Sequence, residues 1–149
     1  METDVKYPPV GFYFKVVFSG LSDREYHFQE VSGLQMEVEM EEVPEAGNLY
    51  PVKMPNKIKY NNLVLKRGML KDSVLIKWVK DTMDNYFTLN PFLKRDIDIH
   101  LLNESGTALV SWQVSNAMPV KWQLSDFKSM DNSIVVETLE FVFEKFKIT

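Results

Sequence analysis

The sequence carries few side chains whose types and spacing suit catalysis. Its two histidines, His27 and His100, fall on separate predicted strands, and neither has a histidine, cysteine or carboxylate at a metal-ligand spacing. Asp96 and Asp98 stand two residues apart, so they share one face of a strand and could serve a small hydrolase. No neighbouring residue would give the two carboxyl groups the different pKa values that an acid and a base require. A solvent-exposed strand face is therefore favoured for this pair. We therefore predict no catalytic residues.

A run of glutamates could bind a divalent cation. It consists of Glu37, Glu39, Glu41 and Glu42. The run lacks the glycine-bearing loop and the mixed oxygen ligands of calcium sites, so a solvated acidic face is favoured. Glycine-rich phosphate loops are also absent. The sequence predicts no metal and no other cofactor.

Composition narrows the class of protein further. The chain has 149 residues, which suits one domain spanning 1–149, and it has no cysteine, which excludes disulfides and thiolate chemistry. The absence of cysteine agrees with assembly in a reducing bacterial cytoplasm. The net charge is −4, and the sequence has no stripe of basic residues. This argues against binding to nucleic acid through its phosphates. No apolar run approaches the roughly 18 residues that span a bilayer, so direct membrane insertion is not expected.

Alternating apolar and polar residues predict most of the chain as β-strands. The predicted strands cover 10–18, 26–29, 34–40, 60–66, 96–102, 108–114 and 134–146, with a bend at 116–121. The strand at 34–40 should be half-buried, with its glutamates in an outer row. The last strand is apolar on both faces and should need two partners, one of them another chain.

One helix is predicted at 73–87, where Leu75, Trp78, Val79, Met83 and Tyr86 form an apolar stripe. The chain is therefore predicted to be mainly β, a single β-barrel or sandwich of about seven or eight strands with one flanking α-helix.

The segment 42–55 is rich in proline and glycine and is predicted as a long loop or an irregular hairpin. It is also too apolar for an ordinary surface loop, so it should bury itself against a partner. The residues expected at that contact are Val43, Pro44, Glu45, Ala46, Gly47, Asn48, Leu49, Tyr50 and Met54.

Six stretches in the same order resemble one family. They are YPPVGFYFKVVF, FQEVSGLQMEVEMEEVPEAGN, YNNLVLKRG, IDIHLLNESG, VSNAMPVKW and VETLEFVFE. Together they resemble the tail-tube proteins of contractile phages, including the tube proteins of extracellular contractile injection systems. The resemblance implies a β-barrel-like fold with a flanking helix. It also implies hexameric rings whose inner strands join into one lumen wall, with 42–55 reaching the neighbouring ring.

The sequence and this resemblance together predict a non-enzymatic structural subunit of the inner tube. Its rings would stack around a conduit for cargo or DNA. The wall of this conduit would make no sequence-specific contacts with the DNA. The expected partners are copies of itself, sheath proteins and baseplate or hub proteins, within a virion or an injection particle. Lumen charge could come from Glu37, Glu39 and Glu41, or from Asp96 and Asp98, and the sequence leaves both rows open.

Two other functions remain as alternatives. The turn Glu45-Ala46-Gly47-Asn48 departs from the glycine-rich turn common in such proteins, which suggests a paralogous tube initiator or baseplate adaptor ring. A monomeric β-barrel that binds a carbohydrate or lipid is the second alternative. A ring or tube in solution would distinguish the assembly proteins from the monomer.

Overall fold

The structure is a computed structural model, and it describes residues 12–21, 25–68, 74–88, 94–125 and 135–149. These residues form ten strands and one helix, which confirms the mainly β prediction with a higher strand count. In chain order they are β1 (Tyr13–Phe18), β2 (Glu25–Phe28), β3 (Glu30–Ser32), β4 (Met36–Val43), β5 (Val52–Tyr60), β6 (Leu63–Gly68), α1 (Val74–Asp84), β7 (Arg95–Leu102), β8 (Ala108–Leu124), β9 (Val136–Val142) and β10 (Lys145–Ile148).

The main sheet closes on itself as a barrel. Its antiparallel strands follow the order β2-β1-β7-β8-β9-β6-β3, and β10 pairs with β8 beside this path. Only Gln29 separates β2 from β3, and its backbone N–H donates to the carbonyl of Lys66 over 2.9 Å. One continuous segment therefore pairs with β1 at one end of the order and with β6 at the other. Closure covers strand edges that would otherwise stay open to other chains.

The barrel interior is filled by the inward-facing row of each strand. The buried side chains are Val16, Phe18, Tyr26, Phe28, Leu63, Leu65, Ile97, Ile99, Val114, Leu139 and Phe141. The two-residue alternation of the sequence places them on one face, because successive strand side chains point to opposite sides. Burying one such large apolar side chain contributes about 1.5–3 kcal/mol.

The helix packs on this core through the predicted stripe. Leu75, Trp78 and Val79 are buried, and Met83 packs against the same cluster from a half-buried position. The Trp78 ring centroid lies 5.8 Å from that of Phe18, which ends β1. The helix ends at Asp84, earlier than predicted, and its expected cap at 72–73 lies outside the described residues.

Two predicted boundaries are wrong for reasons of pairing. The predicted bend at 116–121 is part of β8, which pairs with β7 in its first half and with β9 in its second. A positive φ of 54° at Asn116 and a register shift between Pro119 and Lys121 absorb the irregularity inside the strand. The first strand begins at Tyr13 among the described residues, and positions 10 and 11 lie outside them.

The last predicted strand divides into two. β9 ends at Val142, and after two residues β10 continues in the same direction along β8, pairing with its first half. Phe143, in the gap between the two strands, and Phe146 of β10 pack against Tyr60, with ring centroids 5.4 and 5.5 Å from it. The chain itself therefore covers part of the second apolar face, for which the sequence suggested another chain: Val142 and Phe146 are half-buried, whereas Val136 is exposed.

Candidate assembly interface

Strands β4 and β5 form a separate two-stranded sheet, called here the hairpin together with its connection 44–51. Every residue of β4 is exposed except the half-exposed Glu39. The expectation of a half-buried strand at 34–40 is therefore wrong for the isolated chain. The segment 42–55 is an irregular hairpin, because β4 runs to Val43 and β5 begins at Val52. Pro55 fits in β5, since an edge strand needs no donor on its outer side.

The tip of the hairpin is an ordered turn with two projecting apolar side chains. Asn48 donates from its backbone N–H to the Glu45 carbonyl over 3.1 Å, and its side-chain amide donates to the Glu45 carboxylate over 2.6 Å. Gly47 adopts a φ of +88°, which glycine tolerates best. Leu49 and Tyr50 are 91% and 79% exposed. Glu45, Gly47 and Asn48 thus shape the turn, while Leu49 and Tyr50 are available for contact.

The exposed apolar surface of the hairpin changes sides between its base and its tip. The base face consists of Met36, Val38, Met40, Ile58 and Tyr60, which the cross-strand register places together. The tip face consists of Val43, Val52 and Met54. Val43 is three residues beyond Met40, so it points to the opposite side of the strand. The hairpin therefore presents apolar surface in two opposite directions.

A β-bulge makes this change of sides possible on the second strand. Glu39 pairs with Lys57 while Met40 pairs with Pro55, which leaves Asn56 as the extra residue. An extra residue reverses the side to which the following residues point. Met54 and Ile58, both at even positions, consequently lie on opposite faces. The alternation in 52–60 is the sequence signal for this strand, and the prolines obscured it.

The hairpin leaves the barrel through a tightly packed junction. Gly33 has a φ of +90°, and a Cβ built there would lie 1.9 Å from the carbonyl oxygen of Asn62. The Asn62 side chain donates to the Glu140 carboxylate of β9 over 2.7 Å. Tyr60 packs between Phe143 and Phe146 at the hairpin base. These contacts fix the direction in which the hairpin projects.

The first candidate row for lumen charge lies on the hairpin, opposite to the base face. Glu37 pairs in register with Lys59, and Glu39 with Lys57. The Glu39 carboxylate lies 3.8 Å from the Lys57 ammonium and 3.9 Å from that of Lys59. Glu41 stands opposite Met54 instead of a lysine. The lysines offset part of the negative charge of Glu37, Glu39 and Glu41.

The second candidate row lies on the outside of the barrel. Asp98 is half-buried opposite Gln113, which in turn pairs with Lys147 of β10. Asp96 accepts a hydrogen bond from the backbone N–H of Asn116 over 3.0 Å, and so supports the irregularity in β8. The two carboxylates share a face but do not form an isolated acid–base pair.

The histidines belong to this same outer face. His100 shares a 2.7 Å hydrogen bond with the hydroxyl of Ser111, and the ring of His27 packs edge-on against Tyr13. Within the described ranges, no three histidine, cysteine or acidic side chains are grouped to hold a metal ion. The one described helix is too short to cross a membrane.

Comparisons with known proteins agree with this geometry. The family model of the T4-like virus tail tube protein gp19 matches residues 10–147. No curated protein matches the chain by sequence. A chain of the cryo-EM structure of the anti-feeding prophage cap, described as the AFP tube terminating cap, is 31% identical with a TM-score of 0.73. That match covers 100% of this chain and 95% of the other.

Two more solved structures extend the likeness. A chain of the sheath-tube complex of the extracellular contractile injection system PVC, in its extended state, is 30% identical with a TM-score of 0.74; the match covers 97% and 93% of the two chains. Hcp1 from Flavobacterium johnsoniae has the same fold at 14% identity and a TM-score of 0.61, over 91% and 94% of the chains. The match of the family model over almost all of the sequence shows that this chain belongs to the T4-like virus tail tube protein family.

Proposed function

We propose that residues 1–149 form one non-enzymatic subunit of an inner tube, assembled as stacked hexameric rings around a conduit for cargo or DNA. The observation that carries this proposal is the hairpin, whose apolar surface has no cover in the isolated chain. Family membership and the likeness to chains of contractile injection systems support the tube assignment. Sheath, baseplate and hub proteins would be its partners, in a phage tail or in an injection particle assembled in the bacterial cytoplasm.

The change of sides within the hairpin suits a segment held between two copies. A monomer gains nothing from apolar surface in opposite directions, whereas a hairpin inserted between subunits would bury both faces. In this arrangement the base face packs on one copy and the tip face, with Leu49 and Tyr50, packs on another. Head-to-tail contacts of this kind close into rings, and a second surface then stacks them.

Replacing Leu49 and Tyr50 together by serine tests this assignment. Both side chains are exposed, so the free energy of unfolding of the isolated subunit, measured in denaturant, should stay within about 0.5 kcal/mol of the wild type. Assembly should fall sharply, measured by sedimentation and electron microscopy of purified protein. The matched control is Phe87→Ser, which removes an equally exposed apolar side chain, 96% exposed, outside the hairpin. Normal tubes from the double variant would contradict the assignment.

We further propose that the outer face of β2, β1, β7, β10 and the first half of β8 lines the conduit. This face carries Asp96 and Asp98, and the register places six charged side chains on it: Lys15, Lys145 and Lys147 against Glu25, Asp96 and Asp98. The charges balance, so the wall would be polar and only weakly charged. Such a wall lets cargo slide, and any field decays within about 8 Å at physiological salt.

Charge reversal separates this wall from the hairpin row. Asp98→Lys should change cargo loading at low salt, while the Glu37→Lys variant should leave it unchanged if the hairpin lies between subunits. Loading of assembled particles is the measurement. The same loading in Asp98→Lys and wild type would remove this face from the conduit.

A tube-end ring is the second candidate, because this chain is also similar to chains of structures described as a tube terminating cap and a tube terminator. Electron micrographs of the purified protein distinguish the two. Long tubes indicate the repeating subunit, and single rings indicate an end.

A further inference from the structure

The methionines of this chain are unevenly placed. Five of the eight lie among the described residues. Two of these five, Met83 on α1 and Met118 on β8, are half-buried. The other three lie on the hairpin, where Met36 is 53%, Met40 51% and Met54 49% exposed. In the part of the chain that the structure describes, the solvent-exposed thioethers are therefore all on the hairpin.

Both apolar faces of the hairpin carry at least one of these side chains. Met36 and Met40 belong to the base face, where Met36 is in register with Tyr60 and Met40 with Pro55, next to the bulge. Met54 belongs to the tip face. A change in the polarity of the three sulfur atoms would consequently alter both faces at once.

Peroxides change the polarity of an exposed thioether in one step. The sulfur lone pair attacks one oxygen of hydrogen peroxide, the O–O bond breaks, and the proton on the transferred oxygen goes to the departing hydroxide. One sulfoxide and one water result, so the sulfur loses two electrons and the peroxide gains them. A flexible apolar side chain thereby becomes a polar one.

We propose that Met36, Met40 and Met54 are a modification site at which peroxides block assembly of the free subunit. The proposal rests on the proposed function, in which the hairpin packs between copies. In the free subunit these sulfoxides stay hydrated, so the fold tolerates them. Between copies each sulfoxide would lose its water on an apolar face, which disfavours the contact. Assembly in turn covers the sulfur atoms, so an assembled tube resists the oxidant that disables its free subunits.

The test treats the purified full chain with hydrogen peroxide, removes the peroxide with catalase and measures assembly by sedimentation. The concentration needed for assembly should rise at least about tenfold, because polar groups are then buried without partners. The denaturant midpoint of the subunit should stay unchanged, since the three side chains are exposed. Peptide mass spectrometry should locate sulfoxides at these positions in treated subunits, and none there in tubes treated after assembly.

Substitutions show which methionines are responsible, with each variant compared with its own untreated sample. The triple variant Met36→Leu, Met40→Leu, Met54→Leu should lose the sensitivity to peroxide. The matched control, Met83→Leu with Met118→Leu, keeps the hairpin methionines and should stay sensitive. Methionine sulfoxide reductases for both sulfoxide epimers should restore assembly of the oxidised wild type. This reversal needs no substitution, so it holds even where a leucine variant assembles poorly.

Three results would overturn the modification site. They are unchanged assembly of subunits that carry the hairpin sulfoxides, no recovery after reduction, and a denaturant midpoint that falls together with assembly, which would place the damage in the core. The proposed function fails separately, if the untreated wild type forms neither rings nor tubes. Untreated protein that assembles, and still assembles after oxidation, removes this site and leaves the tube assignment standing.

Discussion

Gly33 stands where the barrel passes into the hairpin, and replacing it by alanine should loosen that junction. Its φ of +90° costs an alanine about 1–2 kcal/mol. The new Cβ would also lie 1.9 Å from the Asn62 carbonyl oxygen and 2.9 Å from its carbon. Both atoms belong to the backbone, so no side chain can turn aside to relieve the overlap. Overpacking of this kind costs about a further 1–3 kcal/mol.

Gly47→Ala supplies the matched control. Its φ of +88° imposes the same backbone strain, but its Cβ would meet nothing within 4 Å. The difference between the two variants therefore isolates the overlap with Asn62, and we expect it to be about 1–3 kcal/mol. In urea, where small proteins have m-values of about 1–3 kcal/mol/M, this corresponds to a midpoint lower by about 1 M.

Sedimentation of the same samples tests the role of the junction. If the overlap is relieved by turning the hairpin away from β6, the barrel keeps its stability and assembly alone is lost. Either a lower midpoint than that of Gly47→Ala, or assembly lost relative to the wild type, agrees with the structure. Equal midpoints in the two variants together with wild-type assembly of Gly33→Ala would refute the reasoning.

Two further predictions concern the helix and its surroundings. Trp78→Ala should cost about 3–5 kcal/mol in the free energy of unfolding, because the ring is buried against Phe18 and Phe141; Phe87→Ala is the exposed control, and equal denaturant midpoints would show that the stripe does not face the core. Burial raises the pKa of Tyr86, whose hydroxyl donates to the Pro119 carbonyl over 2.7 Å. The folded state thus favours the neutral phenol, so this stability is present below the unfolded pKa of about 10 and is lost as pH rises through the folded pKa. Tyr86→Phe should flatten the fall of the unfolding midpoint above pH 10, and parallel curves for the two proteins would contradict this.

Several features follow from the sequence because they depend on neighbours along the chain. A period of two places Val16 and Phe18, or Leu139 and Phe141, on one side of a strand whatever its partner. A spacing of three and four does the same for Leu75, Trp78 and Val79 on the helix. The lack of cysteine and of metal-ligand spacing likewise needs no structure to be seen. These local patterns were sufficient for the mainly β fold with one helix.

The tertiary structure decided which strands are partners, and with that the surfaces left free. No local pattern shows that Gln29 joins two sheet edges or that β8 changes partner near Pro119. The hairpin is the clearest case. Its prolines indicated a loop, but an edge strand tolerates Pro55, and the bulge at Asn56 sets which way Met54 and Ile58 face.

Arg67 and Glu137 illustrate the same limit for charge. From the sequence alone, each of these residues would be expected at the surface, because arginine and glutamate usually lie there. The hint in the sequence is parity: Glu137 shares the inward parity of Leu139 and Phe141. Arg67 likewise shares that of Leu63 and Leu65. Seventy residues separate the two charges along the chain, and only the pairing of β6 with β9 brings them together inside the barrel. A sequence directly specifies which residues share one side of a strand or helix. Contacts between residues far apart in the chain depend instead on the free energy of the whole fold.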